Sequence, residues 1–244
     1  MAAFGPIAPH YDALMSRVPY AMWLEYYKLL LDRQQARPAS FLDVCCGTGT
    51  LAEMLAGEAR DVAGIDLSPA MIAEARTKAV RLGIEVAYHT ADVRDFDLGR
   101  KFGAAYSFFD SLNYVATLDG LRSAVAAVAR HIEPGGSFVF DLNTDYAFVN
   151  RLFDQQDLRS TSRVRYRWTG EYDPDSRIIR VSMRFWVAGE RFQETHVQRA
   201  HRHEEVLDAL GDAGFVKVQS FHSYTLDPPR KESDRVHYAA IRAG

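Results

Sequence analysis

Apolar and polar positions repeat on two different periods along this chain, and the change from one to the other divides it. Through about residue 145, short apolar runs are separated by stretches with helical spacing. Phe41-Leu42-Asp43-Val44-Cys45, Asp61–Asp66, Ile84–Tyr88, Ala104–Phe109 and Ser137–Asp141 read as five buried strands. Met71, Ile72, Ala75, Ala79 and Leu82 fall on one helical face, opened by Ser68-Pro69 and stopped by Gly83. Leu121, Ala124, Val125, Val128 and Ile132 form a second stripe. Asp119 opens it, and Pro134-Gly135-Gly136 turns the chain into the next strand. Strands alternating with helices predict a parallel sheet flanked by helices.

After about residue 158 the period becomes two. Val164, Tyr166 and Trp168 alternate with Arg163, Arg165 and Arg167, and Tyr172–Ser176 is a turn. Ile179, Val181, Met183, Phe185 and Val187 repeat the alternation, and a third strand lies near Phe192 to Arg199. This is a small antiparallel sheet inserted into the parent fold. Glu204–Ala213 returns to helix, Gly214 ends it, and Phe215–Tyr224 with Arg235–Ile241 form a closing strand pair. The expected organisation is a helical N-terminal lid (1–38), an α/β core (39–158), the inserted sheet (159–202), and a helix and strand pair completing the core (203–244).

Composition narrows the function classes. With 244 residues, 48% apolar and 25% charged, the chain can bury a substantial core. A net charge of −3 argues against wholesale attraction to nucleic acid or anionic membranes. No apolar run approaches a membrane span, and the start lacks the features of a signal peptide, so a cytoplasmic setting is expected. Cys45 and Cys46 are neighbours, which suits neither a disulfide framework nor a structural zinc site; no metal is expected. Charge is uneven: residues 159–202 hold ten arginines, no lysine and five acids. Those arginines make either a solvated outer face or a surface for an acidic ligand.

Candidate chemistry begins where the first strand runs into Cys45-Cys46-Gly47-Thr48-Gly49-Thr50 and a helix follows. Gly47 and Gly49 permit positive φ and let a ligand touch the backbone. With Ala52 in third place, spacing alone leaves a dinucleotide open. Asp43, inside the strand, tilts the choice: a carboxylate repels phosphates and favours a ligand carrying an amino group and a sulfonium. Asp66, ending strand two, can accept hydrogen bonds from ribose hydroxyls of either cofactor class. Asp92, after strand three, could accept from an adenine amine. Turn or capping roles are the alternatives for each of these acids.

These motifs, taken with Gly64-Ile65-Asp66-Leu67-Ser68-Pro69-Ala70-Met71, Ala91-Asp92-Val93 and Leu112-Asn113-Tyr114, resemble class I S-adenosylmethionine-dependent methyltransferases in order and spacing over residues 41–142. Tyr11-Asp12, Tyr20-Ala21-Met22-Trp23 and the insertion after strand five resemble the small-molecule branch, which includes amino-sugar N,N-dimethyltransferases. The resemblance implies an α/β, Rossmann-like fold: a seven-stranded, mostly parallel sheet with an antiparallel final strand, plus the inserted antiparallel sheet. It implies S-adenosylmethionine as cofactor and a small-molecule substrate. Asp43, Cys45, Gly47 and Gly49 would hold the methionine moiety and Asp66 the ribose. Leu67 and Met71 would line the adenosine side, with Asp92 and Val93 at the adenine and Phe109 near the sulfonium. Tyr11 would close over the cofactor and face the methyl group. Tyr114 stands where several amino-sugar enzymes carry histidine, so their substrate is not inherited.

Methyl transfer is a displacement that needs mainly alignment, so a strong base is optional. Tyr11, Tyr114 and His196 are the candidate catalytic groups. Tyr114 lies at the ligand-binding edge of the sheet, or packs as a core aromatic. Glu194 and His196, two apart on a strand, share a face and could meet a polar substrate, pair between subunits or sit at a sheet edge. His201 and His203 have no third metal ligand and read as solvated. Trp23 would wall the pocket or pack in the core. Trp168, Phe185 and Trp186 invite a homodimer through the insertion. A non-catalytic binding module and, because of the arginines, an RNA methyltransferase are the alternative functions.

Overall fold

The expected strands assemble into two sheets in the computed structural model, which describes residues 4–58 and 61–244. Residues 1–3 of the expected lid lie outside the described residues. In chain order the elements are α1 (Tyr11–Leu14), α2 (Tyr20–Arg33), β1 (Phe41–Val44), α3 (Thr50–Ala56), β2 (Val62–Asp66), α4 (Pro69–Leu82) and β3 (Ala87–Thr90). Next come β4 (Phe102–Ser107), α5 (Leu118–Arg130), β5 (Ile132–Asn143) and α6 (Asp145–Val149). The insertion holds β6 (Gln155–Asp157), β7 (Val164–Asp173), β8 (Ile178–Val187) and β9 (Glu190–Arg199). Helix α7 (His203–Asp212), β10 (Phe215–His222) and β11 (Arg235–Arg242) close the chain.

The larger sheet has the order β10-β11-β5-β4-β1-β2-β3. Its strands pair in parallel, except that β11 runs against both β5 and β10. The α/β fold with one antiparallel strand and an inserted antiparallel sheet is the one the resemblance implies. Helices cover both faces, and β5 shows why. Phe138 and Phe140 turn toward α5 and α7, where they pack with Leu121, Val128 and Leu210. Val139, of opposite parity, turns toward Tyr27 and Leu30 of α2 and Ile72 of α4. The insertion forms a separate sheet, β6-β7-β8-β9, whose Ile179, Val181 and Phe185 pack on Ile7 and Phe148. It is therefore fastened to the N-terminal segment and to α6.

Local differences from the expected elements have physical causes. Strand β3 starts three residues late because Ile84 completes the α4 stop. Gly83, at φ 67°, donates its N–H to the Val80 carbonyl, and the Ile84 N–H reaches the Ala79 carbonyl. Helix α5 is capped two residues earlier than Asp119, because the Thr117 side chain accepts the Gly120 N–H. Pro134-Gly135-Gly136 is absorbed as an irregularity within β5 rather than a turn ahead of it. The insertion gains β6, which begins before residue 159.

Gly49 caps α3 from the left-handed region at φ 78°, and a Cβ there would collide with the Tyr88 hydroxyl. Gly49→Ala is expected to destabilise the chain by about 2 kcal/mol or more, from the positive φ and the clash together. Urea unfolding measures it; an unchanged midpoint would show that Tyr88 yields freely.

Candidate functional site

Strands β1 and β4 lie side by side, but the chain leaves β1 toward β2 and β4 toward β5. Their carboxyl-end loops diverge and open a crevice, the place where sheets of this kind bind ligands. Cys45 (φ 61°) and Gly47 (φ 55°) hold the first loop in left-handed backbone. A Cβ at Gly47 would have no neighbour within 4 Å, so the missing side chain leaves ligand-sized room. Asp66 ties this loop to the next one: its carboxylate accepts the Gly47 N–H at 2.9 Å and the Ser68 N–H at 2.8 Å.

Asp43 is buried beneath the loop. Loss of solvent pushes its carboxyl up to about 8, and the charge on Asp66 adds to this. The Tyr106 hydroxyl and the Ala52 amide offset only part of the rise. Asp66 is raised by burial as well, against the pull of its two amide donors.

A cavity of about 970 Å³ runs from this crevice to the inserted sheet, at the upper end of ordinary ligand pockets. Asp43, Gly47, Asp66, Leu67 and Met71 bound one end, and Tyr166, Trp168, Phe185 and Gln198 bound the other. The segment from Phe4 through Pro19 forms a strap along the cavity, with Tyr11 in its wall. Asp12 latches the strap: its carboxylate accepts the Thr48 hydroxyl at 2.6 Å and the Lys78 ammonium at 2.9 Å.

At the far end the Tyr114 hydroxyl lies 2.8 Å from His196 Nδ1, and His196 Nε2 lies 2.8 Å from Glu194 Oε2. Burial holds the Tyr114 and Tyr11 phenols well above their usual range, so both are neutral. Beside them Asp110 accepts from Gln198 Nε2 at 2.8 Å and from the Arg235 guanidinium at 2.9 Å. Arg235 also pairs with buried Asp141. Gln198 Oε1 is buried without a hydrogen-bond partner among the described residues, on a side chain that lines the cavity. Phe109 (φ 68°) and Asp110 (φ 50°) are both left-handed, a strained pair at the end of β4.

Of the residues singled out in the sequence, Tyr11, Trp23, Asp43, Cys45, Gly47, Asp66, Leu67, Met71, Phe109 and Tyr114 line this one cavity. Gly49, Asp92, Val93 and His196 do not. Gly49 lies against Tyr88, whose hydroxyl bonds its carbonyl. Asp92 turns to Arg94, which clasps the carboxylate and holds it below the usual range. Val93 packs in the core, and His196 stands one layer behind Tyr114. His201 is withdrawn from solvent, whereas His203 is exposed as expected. The first is buried on the Val115 carbonyl, with burial and Arg199 bringing it down to about 4; the second meets the Tyr238 hydroxyl. Among the described residues no three His, Cys, Asp or Glu side chains are grouped to hold a metal. Sequence reasoning missed Asp110, Gln198 and Arg235. Gln198 was within reach, since it shares strand parity with Glu194 and His196.

Residues 41–136 match a family described as a methyltransferase domain. The dTDP-4-amino-2,3,4,6-tetradeoxy-D-glucose N,N-dimethyltransferase of Saccharopolyspora spinosa is 35% identical over 185 residues, which cover 72% of this chain and 70% of that one. An S-adenosylmethionine-dependent methyltransferase structure from Clostridium acetobutylicum superposes with a TM-score of 0.85 at 25% identity, covering 98% of each chain. The sugar N-methyltransferase KedS8 from Streptoalloteichus gives 0.78 at 28%, covering 96% of this chain and 93% of that one.

Asp43 folds with a carboxyl raised from the usual carboxylate range to about 8. Its neutral form is therefore favoured on folding, and that contribution is fully present below about pH 4 and lost progressively up to about pH 8. Asp43→Asn is expected to gain stability over the parent as pH rises through this window, on the order of a few kcal/mol at its upper end. Denaturant unfolding of both chains from pH 4 to 8 checks it; a pH-independent difference would refute the assignment.

Proposed function

This chain belongs to the class I S-adenosylmethionine-dependent methyltransferases, and from that premise we propose that its acceptor is an amino nitrogen on a small polar molecule. The observation carrying this reading is the single cavity that joins the β1–β4 crevice to a polar pocket under the inserted sheet. Two of the relatives named above are sugar N-methyltransferases, which supports nitrogen.

The crevice suits the cofactor. Gly47 leaves space beside the loop, Asp43 offers a carboxyl to a cationic end, and Asp66 stands at the end of β2, where ribose hydroxyls bind in such folds. Bound there, S-adenosylmethionine supplies an electrophilic methyl group on a sulfonium. The protein's part is then alignment and exclusion of water, worth roughly 7–11 kcal/mol when geometry is favourable. The strap, held by Asp12 on Thr48 and Lys78, shuts the crevice against solvent. Tyr11 walls the cavity beside the transferred group, and Gln198, held on Asp110, lines it further on. Tyr114, backed by His196, can take the proton the acceptor sheds.

The inserted sheet turns Arg165, Arg167, Arg180 and Arg184 outward, away from the cavity, and of the arginines in 159–202 only Arg159 and Arg163, ahead of β7, line it. That weakens the RNA reading. It bears on self-association too, since Trp168 and Phe185 face the cavity rather than a second copy. A face-to-face dimer through this sheet would oppose arginines and need salt to screen them. Light scattering at micromolar concentration and low salt is expected to report a monomer; a dimer there would restore the sheet as an interface.

Asp66→Ala is expected to weaken S-adenosylmethionine binding at least tenfold by calorimetry, and unchanged affinity would remove Asp66 from the site. Turnover to S-adenosylhomocysteine is expected with amines or amino sugars and not with matched alcohols. Activity on the alcohols alone would overturn nitrogen as the acceptor.

A further inference from the structure

We propose that Glu194 is a positioning residue that arms the Tyr114–His196 pair as the proton acceptor of the reaction, and that it does so when the N-terminal strap is docked on it. The inference rests on the methyl-transfer reading above and adds to it a residue and a coupling.

Hydrogen-bond direction along the row follows from its last member. A carboxylate oxygen only accepts, so His196 Nε2, 2.8 Å from Glu194 Oε2, carries the hydrogen and donates it. Nδ1 of the neutral ring is then an acceptor, and the Tyr114 hydroxyl 2.8 Å away must donate to it. The Gln198 side chain stands by the same oxygen and pulls the phenol down against burial, which leaves one lone pair of Tyr114 for the cavity its side chain lines. The row is thus oriented to receive a proton from the acceptor, and reversing any bond would turn it away.

Glu194 is held by the strap and not by its own sheet. Its Oε2 accepts the Phe4 N–H at 2.9 Å and its Oε1 the Ile7 N–H at 3.2 Å. The carboxylate accepts these bonds with its side chain 7% exposed, beside a His196 side chain at 0%. The Phe4 ring closes edge-on over the imidazole, centroids 4.4 Å apart. From β8, apolar Met183 and Val181 stand in register with Glu194 and His196. Titratable groups facing the row are Tyr114 itself, Tyr11 of the strap, and Asp110, whose charge is engaged by Arg235. Glu194 is the carboxylate that bonds this imidazole. The same strap reaches the glycine loop through Asp12, so closing over the cofactor and arming the base are one movement.

The chemistry balances. As the acceptor nitrogen forms its bond to the methyl carbon, the carbon–sulfur bond breaks and sulfur keeps the electron pair. The acceptor's proton passes to the Tyr114 oxygen while the Tyr114 proton passes to His196 Nδ1. The positive charge that began on sulfur ends on an imidazolium held against Glu194, and the proton leaves to solvent when the strap lifts.

Histidine-ring nitrogen NMR on the full-length chain tests this without a known acceptor. The parent is expected to show His196 as a single Nε2–H tautomer, and Glu194→Gln, which keeps one oxygen for a strap amide and removes the charge, should lower the His196 pKa by at least one unit. Asp12→Ala, at the other end of the strap, should speed exchange of that ring N–H at least tenfold. An Nδ1–H tautomer, an unmoved pKa in Glu194→Gln, or unchanged exchange in Asp12→Ala would overturn the proposal. With any acceptor that turns over, Glu194→Gln should lower kcat at least tenfold, move its acid limb to lower pH and leave KM for S-adenosylmethionine within twofold. An unmoved acid limb would reduce Glu194 to a structural role. Failure of every acceptor would count against the function reading, while the NMR arms still decide the role of Glu194.

Discussion

Reversal of strand order between β1 and β4 is the constraint on which the rest of this molecule depends. Two adjacent parallel strands whose continuations part to opposite sides cannot keep their end loops in contact, so a crevice opens at their carboxyl edge. The sequence then has to line it. Left-handed Cys45 and Gly47 bend the first loop away from the opening, and Asp66 stitches that loop to the next through two backbone amides. Asp43 lies where the sheet's own burial strips it of solvent. A carboxyl group kept there costs the empty fold something, and a cationic guest offsets that cost. Stability is spent at the site where function needs it.

The parent sheet was legible because each of its elements is signalled more than once. Strand β1 is apolar, ends at a glycine turn and is followed by a helical stripe; α4 has a cap, a proline at its first position and a glycine stop. Boundaries failed where one residue served two elements. Ile84 looks like a strand residue and is one by composition, yet it closes the α4 stop and delays β3. Pro134-Gly135-Gly136 looks like a break, but the strand accommodates it as an irregularity because the flanking residues still pair with β4. Both errors are competitions between adjacent signals, and local pattern cannot referee them.

The crevice end of the cavity was legible for the same reason, since the residues that line it follow strand ends in order. Asp92 was the exception: a neighbour two positions on, Arg94, supplies the partner that a ligand was expected to provide. The acceptor end was legible only in part. Period-two alternation places Glu194, His196 and Gln198 on one face of β9 but does not say what that face meets. Tertiary structure brings Tyr114 from the end of β4, Arg235 from β11 and the strap amides from the N-terminus to the same spot. Asp110 is hidden further by its backbone, since a left-handed aspartate after a left-handed phenylalanine has no distinctive sequence mark.

The cavity is assembled from two separable pieces of chain. One end belongs to loops that the seven-stranded sheet cannot alter without losing its crevice, and the other to β6–β9, strands that pair only with one another. Drift in the second piece can therefore redraw the far end of the cavity while the first stays fixed. Chimaeras that exchange residues 155–199 between such chains, with the matching strap residues carried along, are the natural unit for grafting one acceptor preference onto another's scaffold.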